Sequence, residues 1–262
     1  MPELPASVRL ALWATSALAG GEHGRGEEID HGAAVAAAAP DLPDVDDAAA
    51  LARLDLWAQL GERVVLVSLP APGDLVGLPR GDATFVGAAV EAGECVWSSL
   101  FGGALVPVYE TFGPADDEGL LLRWEAHECA PPPSHLQSSP SPAEIERGLR
   151  EVTATAVRAL EDLDSPAWRA GLRDVADERL QAGRWGLPDG LGPRVRRVIV
   201  QAATIGTIAT TALERLDDVP SVGVGANRDR ILREVQFQAR RALAAGACAA
   251  SMELAEGDRG SR

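Results

Sequence analysis

The chain has 262 residues, long enough to bury a substantial core in one or two domains, and 46% of them are hydrophobic, as in an ordinary globular protein. All 24 basic residues are arginine, which excludes a Schiff-base lysine and a lysine-bearing phosphate loop. The formal net charge of −15 lies wholly in the first half, because residues 1–140 hold 6 Arg against 21 acids and residues 141–262 hold 18 of each; such an acidic half repels nucleic acid and anionic lipid.

The first predicted element is a helix through "RLALWATSALAGG", with Leu4, Val8, Leu12, Thr15 and Leu18 on one face. A secretory leader would need basic residues at its start; here the first eight residues have none and include Glu3, so a docked helix of a cytoplasmic protein is expected. Three cysteines, Cys95, Cys129 and Cys248, are too few and scattered for a disulfide framework and fit a reducing compartment. The glycine-rich loop "GGEHGRGEEIDHG" gathers His23, Glu27, Glu28, Asp30 and His31, the ligand types of a divalent metal, but without two histidines one helical turn apart. "AAVAAAAP" reads as a short helix stopped by Pro40, and "DVDDAAALARLDLWAQLG" as a helix with an acidic start and a glycine stop at Gly61.

"RVVLVSL" is a buried-strand pattern closed by "PAPG", and "DATFVGAAVEAG" is a further helix. "ECVWSSLFGGALVPVYETF" reads as two strands turning near Gly102–Gly103, and "GLLLRWEAHE" as a third. Strands grouped this late favour an α+β fold over a doubly wound sheet: a small mixed α/β domain over 1–130 with a short, mostly antiparallel sheet. "PPPSHLQSSPSP", 131–142, is a Pro/Ser-rich linker, and 143–262 reads as an all-α helical bundle of roughly four helices.

In that bundle Ile145, Leu149, Val152, Ala156 and Leu163 recur at helical spacing, and Ser165 with Pro166 would cap a second helix. Two longer helices follow, 193–216 and about 225–255, separated by a turn in "SVGVGANRDR". That stretch is no dinucleotide fingerprint, because a helix rather than a strand precedes it and the third glycine is absent. Val198, Ala202, Ile205, Ala209 and Ala212 form one seam of mostly small residues, and Leu232, Val235, Ala239, Ala242, Gly246 and Ala249 another, which predicts a close antiparallel hairpin. The other face of the first helix carries Arg194, Arg197, Gln201, Thr204, Thr211 and Arg215, too polar for a lipid-facing span, so no membrane association is expected.

Arg194, Arg196 and Arg197 stand where the helix dipole disfavours cations by about 0.3–1 kcal/mol each. Two readings remain open for them: ion pairs with acidic neighbours, or a phosphate or carboxylate site that uses the free N–H groups of the helix start. Arg196 projects about 200° around the wheel from Arg194, so the three cannot all converge. His127, Cys129 and His135 lack a visible fourth metal ligand, and Cys95 reads as a buried structural thiol. No G-x-S-x-G, H-E-x-x-H or C-x-x-C motif occurs, so no catalytic residue is identified and no cofactor is expected.

The stretches "SVRLALWATSAL", "GERVVLVSLPAPGDLVGLPRG", "EAGEC", "GGALVP" and "GRWGLP" resemble an uncharacterised protein family of high-GC Gram-positive bacteria. That resemblance implies a bacterial cytoplasmic setting and carries no catalytic residue with it. The expected function is a non-catalytic interaction or oligomerisation protein that docks a protein partner or a second copy of itself through its helical half. The alternative is an enzyme or sensor that binds an anionic small molecule around Arg194–Arg197. Nucleic-acid binding through Arg194, Arg197, Arg228, Arg230, Arg233, Arg240 and Arg241 is the weakest reading, and nucleic acid is not an expected partner.

Overall fold

The computed structural model describes residues 4–20, 30–40, 42, 44–114, 118–131, 140–163, 186–214 and 222–260. The chain divides into two compact units. The first comprises Met1–Ser139, Gly186–Gly192 and Ala247–Arg262, and the second Pro140–Trp185 and Pro193–Gly246.

The first unit is α+β. Its elements are α1 (Ala6–Gly20), α2 (His31–Ala38), β1 (Asp44–Asp46), α3 (Ala48–Leu60), β2 (Val65–Ser68), α4 (Ala83–Ala92), β3 (Cys95–Ser98), β4 (Ala104–Phe112) and β5 (Gly119–His127). The five strands form one sheet in the order β1-β5-β4-β3-β2. Three pairings are antiparallel, but β1 runs parallel to β5, so the sheet is mixed rather than of one kind. The sequence hides β1 because "DVD" is three residues long, mostly charged and directly before a helix, where acids serve the helix start.

Strand alternation sends Leu66, Cys95, Trp97, Ala104 and Val106 to one face, where Phe85 and Ala89 of α4 cover them. Val65, Val67, Val96 and Leu105 point the other way and are buried as well, which is why β2 and β3 show no polar alternation. α1 packs along β2, β3 and β4. It is buried on nearly every side, Arg9 included, not on the single face its periodicity suggested. Its uncapped start is answered by Glu94, which accepts the Ser7 N–H at 2.8 Å and the Tyr109 hydroxyl at 3.1 Å.

The second unit is helical among its described residues. It holds α5 (Pro142–Glu161), α6 (Pro193–Glu214) and the larger part of α7 (Val222–Gly260). The end of the Pro/Ser-rich stretch forms the cap of α5: Ser141 and Glu144 make a reciprocal capping box, with Pro142 at the first helical position. The predicted helix after Ser165 and most of the 131–142 segment lie outside the described residues.

The small-residue seams pack against each other as expected. A Cβ on Gly246 would come 2.9 Å from Val198 Cγ1, and one on Gly206 would touch Ala239. Gln236 donates to Thr210 and Arg228 to the Ala212 carbonyl, so α6 and α7 run antiparallel. α7 begins at Val222, earlier than predicted. Gly223 and Gly225 read as turn residues, yet they lie in its first turn, where glycine weakens a helix less than in its interior. No helix among the described residues is long and apolar enough to cross a membrane.

Candidate functional site

The most organised polar cluster of the first unit centres on Glu62, which is 2% exposed. Gly61 ends α3 in the left-handed conformation, with φ +86°, and turns Glu62 inward. One oxygen of Glu62 accepts the N–H groups of Arg63 at 2.9 Å and Val64 at 3.0 Å and the Ser99 hydroxyl at 2.8 Å. The other accepts the Ser98 hydroxyl and the Leu100 N–H at 2.9 Å. Five neutral donors thus satisfy one buried carboxylate, which removes the cost of desolvating it.

That cluster fixes the turn between β3 and β4. Ser98 Oγ also accepts the Phe101 N–H at 2.8 Å, and Trp57 of α3 donates its indole N–H to the Gly102 carbonyl at 3.0 Å. Gly102 and Gly103 both have φ +76°, and a Cβ on either would collide with Cys129 or Arg53 respectively, so only glycine fits the corner. The turn presents Leu100 and Phe101 to solvent, 54% and 43% exposed. Leu56 and Leu60 are exposed one turn apart on α3. They lie on the flank that also carries Arg53, which reaches Gly103 and pairs with Glu128 at 2.6 Å. Two large apolar side chains thus stand exposed on the turn and two more on α3, whose Trp57 and Arg53 reach that turn. Elsewhere in this unit an open groove of about 760 Å³ is lined by Ala71, Pro72, Leu75, Val86 and Val90.

In the second unit the predicted arginines meet a carboxylate. Arg194 Nε and Arg197 Nη1 each stand 3.8 Å from Glu146, which also has Arg150 at 3.4 Å. Glu146 is 8% exposed. Arg196, on the other side of α6, is half-buried and does not join this group.

Residues 7–138 match the family model described as Rv1486c-like protein, N-terminal domain, and residues 143–244 the one described as Rv1486c-like protein, C-terminal domain. The chain belongs to the Rv1486c-like family. No curated protein and no solved structure matches it. Both family descriptions name a protein and not an activity, so membership in the Rv1486c-like family assigns no reaction to any residue.

Of the metal-type residues in the loop 23–31, His23, Glu27 and Glu28 lie outside the described residues. Asp30 caps α2 by accepting the Ala33 N–H at 2.8 Å. His31 is buried 3.4 Å from Asp55, and burial pushes its pKa down against the pull of Asp55 and Asp30. His127 stacks on Phe85 with ring centroids 5.9 Å apart, and His135 is outside the described residues. Among the described residues no group of three or more His, Cys, Asp or Glu side chains could hold a metal ion.

The cysteines, far apart in sequence, pack into one cluster of the first unit: Cys95 is in its buried core, and Cys129 and Cys248 lie against it. Burial pushes Cys129 and Cys248 up to about 11 and Cys95 higher still, so all three are poor nucleophiles. Glu62 and Glu146, which organise the two sites, were invisible to sequence reasoning. Each is an ordinary glutamate beside an arginine or a helix end, and the partners that complete its cluster come from far along the chain: Ser98 and Ser99 at separations of 36 and 37 for Glu62, and Arg194 and Arg197 of α6 for Glu146.

Proposed function

We propose that this protein is a non-catalytic interaction protein that docks a protein partner through the β3–β4 corner of its first unit. The observation that carries the reading is the fixed exposure of Leu100 and Phe101 beside Leu56 and Leu60. Exposed apolar residues clustered on a rigid frame mark interaction sites, because their burial contributes about 25 cal/mol per Å² and little ordering entropy is lost on binding. The small-residue seams are not available for this role, since Val198, Ala202, Ala209, Ala212, Leu232, Val235 and Ala239 are buried within the second unit.

Charge selects the partner's chemistry. The corner belongs to the half of the chain that holds 6 Arg and 21 acids, and Asp55 on α3 is exposed. A second copy would set like charge against like charge, whereas a partner with an apolar groove and a basic rim is attracted. The test pairs the wild-type chain with a Leu100→Ser, Phe101→Ser double variant. Native mass spectrometry should give a single 27.4 kDa chain for both. Immobilised wild-type protein should retain a protein from the native host's extract that high salt releases and the double variant does not retain. Equal retention by both chains, or a wild-type dimer that the double substitution dissociates, would contradict the reading.

A further inference from the structure

We infer that the groove between α5 and α6 is a binding site for an amphipathic organic anion, such as a medium-chain monocarboxylate. The inference is independent of the docking corner, which lies in the other unit. The groove encloses about 340 Å³ and is lined by Leu149, Thr153, Ala154, Gln201, Thr204 and Ile205, with Arg150 at its edge. That volume falls within the range of small-molecule sites.

Two observations point to a ligand, and they do so separately. Thr204 is 6% exposed, yet its hydroxyl has no hydrogen-bond partner among the described residues. A buried hydroxyl without a partner is costly, and native structures keep few of them without a reason. Thr153, across the groove, shows the ordinary escape: its hydroxyl donates to the Leu149 carbonyl one turn back at 2.7 Å. Thr204 makes no such bond and lines the groove instead.

The second observation is the charge at one end. On α6 the stripe runs from Thr204 through Gln201 to Arg197, at spacings of three and four. Arg197 and Arg150 share one oxygen of Glu146, and Arg194 takes the other. Among the described residues these three guanidinium groups have one carboxylate between them, at 3.4–3.8 Å, beyond hydrogen-bond length. A second carboxylate placed there would gain charge-assisted bidentate contacts that Glu146 leaves unused. An apolar body would then lie on Leu149, Ala154 and Ile205, with Thr204 offering its hydroxyl.

Octanoate is the probe, with 1-octanol as the uncharged control, in isothermal titration and thermal unfolding of the full chain. Octanoate should bind at least about fivefold more tightly than 1-octanol and raise the unfolding temperature in proportion to its occupancy. Thr204→Val keeps the volume and removes the hydroxyl; it should leave the free protein at least as stable while weakening octanoate about fivefold or more. Glu146→Gln and Arg197→Gln should act in opposite directions, the first tightening octanoate and the second erasing its advantage over the alcohol. A residue with a merely structural role would not give opposite signs. No binding of octanoate at millimolar concentration would overturn the inference, and so would binding that none of the three substitutions changes.

Discussion

Glu62 and Glu146 are both more than nine-tenths buried, one in each unit, and they are handled in opposite ways. Glu62 is met by five neutral donors at hydrogen-bond distance and has no acceptor capacity left for a visitor. Glu146 is met by three cations at looser distances and leaves positive charge in excess. A carboxylate saturated by neutral groups closes a structure; one outnumbered by arginines leaves a place that another anion can share. The difference matches the two roles proposed for the units, a scaffold that displays a surface and a site that takes a ligand.

Removing each carboxylate should have very different consequences. Glu62→Ala should destabilise the protein by about 3 kcal/mol or more, since it removes the acceptor shared by two buried hydroxyls and three N–H groups. Glu146→Gln should cost about 1 kcal/mol or less, because its partners are half or more exposed and screened. Urea denaturation of the two variants beside the parent gives both numbers. Comparable losses would erase the distinction drawn here.

Within the second unit, Gly246→Ala should cost roughly 1–3 kcal/mol by overpacking, since its Cβ would press on Val198 at 2.9 Å; thermal unfolding reads the loss. A smaller effect is expected at His31. Its folded pKa lies below the ordinary 6.5, so below that value the unfolded chain takes up the proton more readily. The stability this contributes is complete above pH 6.5 and is lost as pH falls toward the lowered value. His31→Gln should therefore flatten the decline in stability between pH 7 and pH 5, measured by denaturant midpoints at each pH. The smallest signal is chemical: burial raises the Cys129 and Cys248 thiols to about 11, so at pH 8 a thiol reagent should label them slowly in the folded chain and readily on unfolding.

Much of the fold could be read from the sequence, because its signals are local. The glycine stop at Gly61, the helix in "DATFVGAAVEAG", the apolar run through Val65 and the helical repeat from Ile145 are each decided by neighbouring residues. β1 was not legible, since one valine between two aspartates has no period of its own and becomes a strand only beside β5. The β3–β4 corner was half legible. Gly102–Gly103 announced a turn, but nothing near Glu62 announced that a buried carboxylate would hold it from 36 residues away. Arg194 and Arg197 were singled out for opposing a helix dipole, and their acid proved to be on α5, a contact only tertiary packing creates.

Glu62 holds the exposed β3–β4 turn as a fixed platform. Amide hydrogen exchange at Leu100 and Phe101 tests it most directly, because both N–H groups are bonded to the Glu62–Ser98 pair despite the exposure of their side chains. The account predicts protection of both amides near the level of the β3 and β4 core, lost in Glu62→Ala. Exchange as fast as an unstructured loop in the wild-type protein would contradict it.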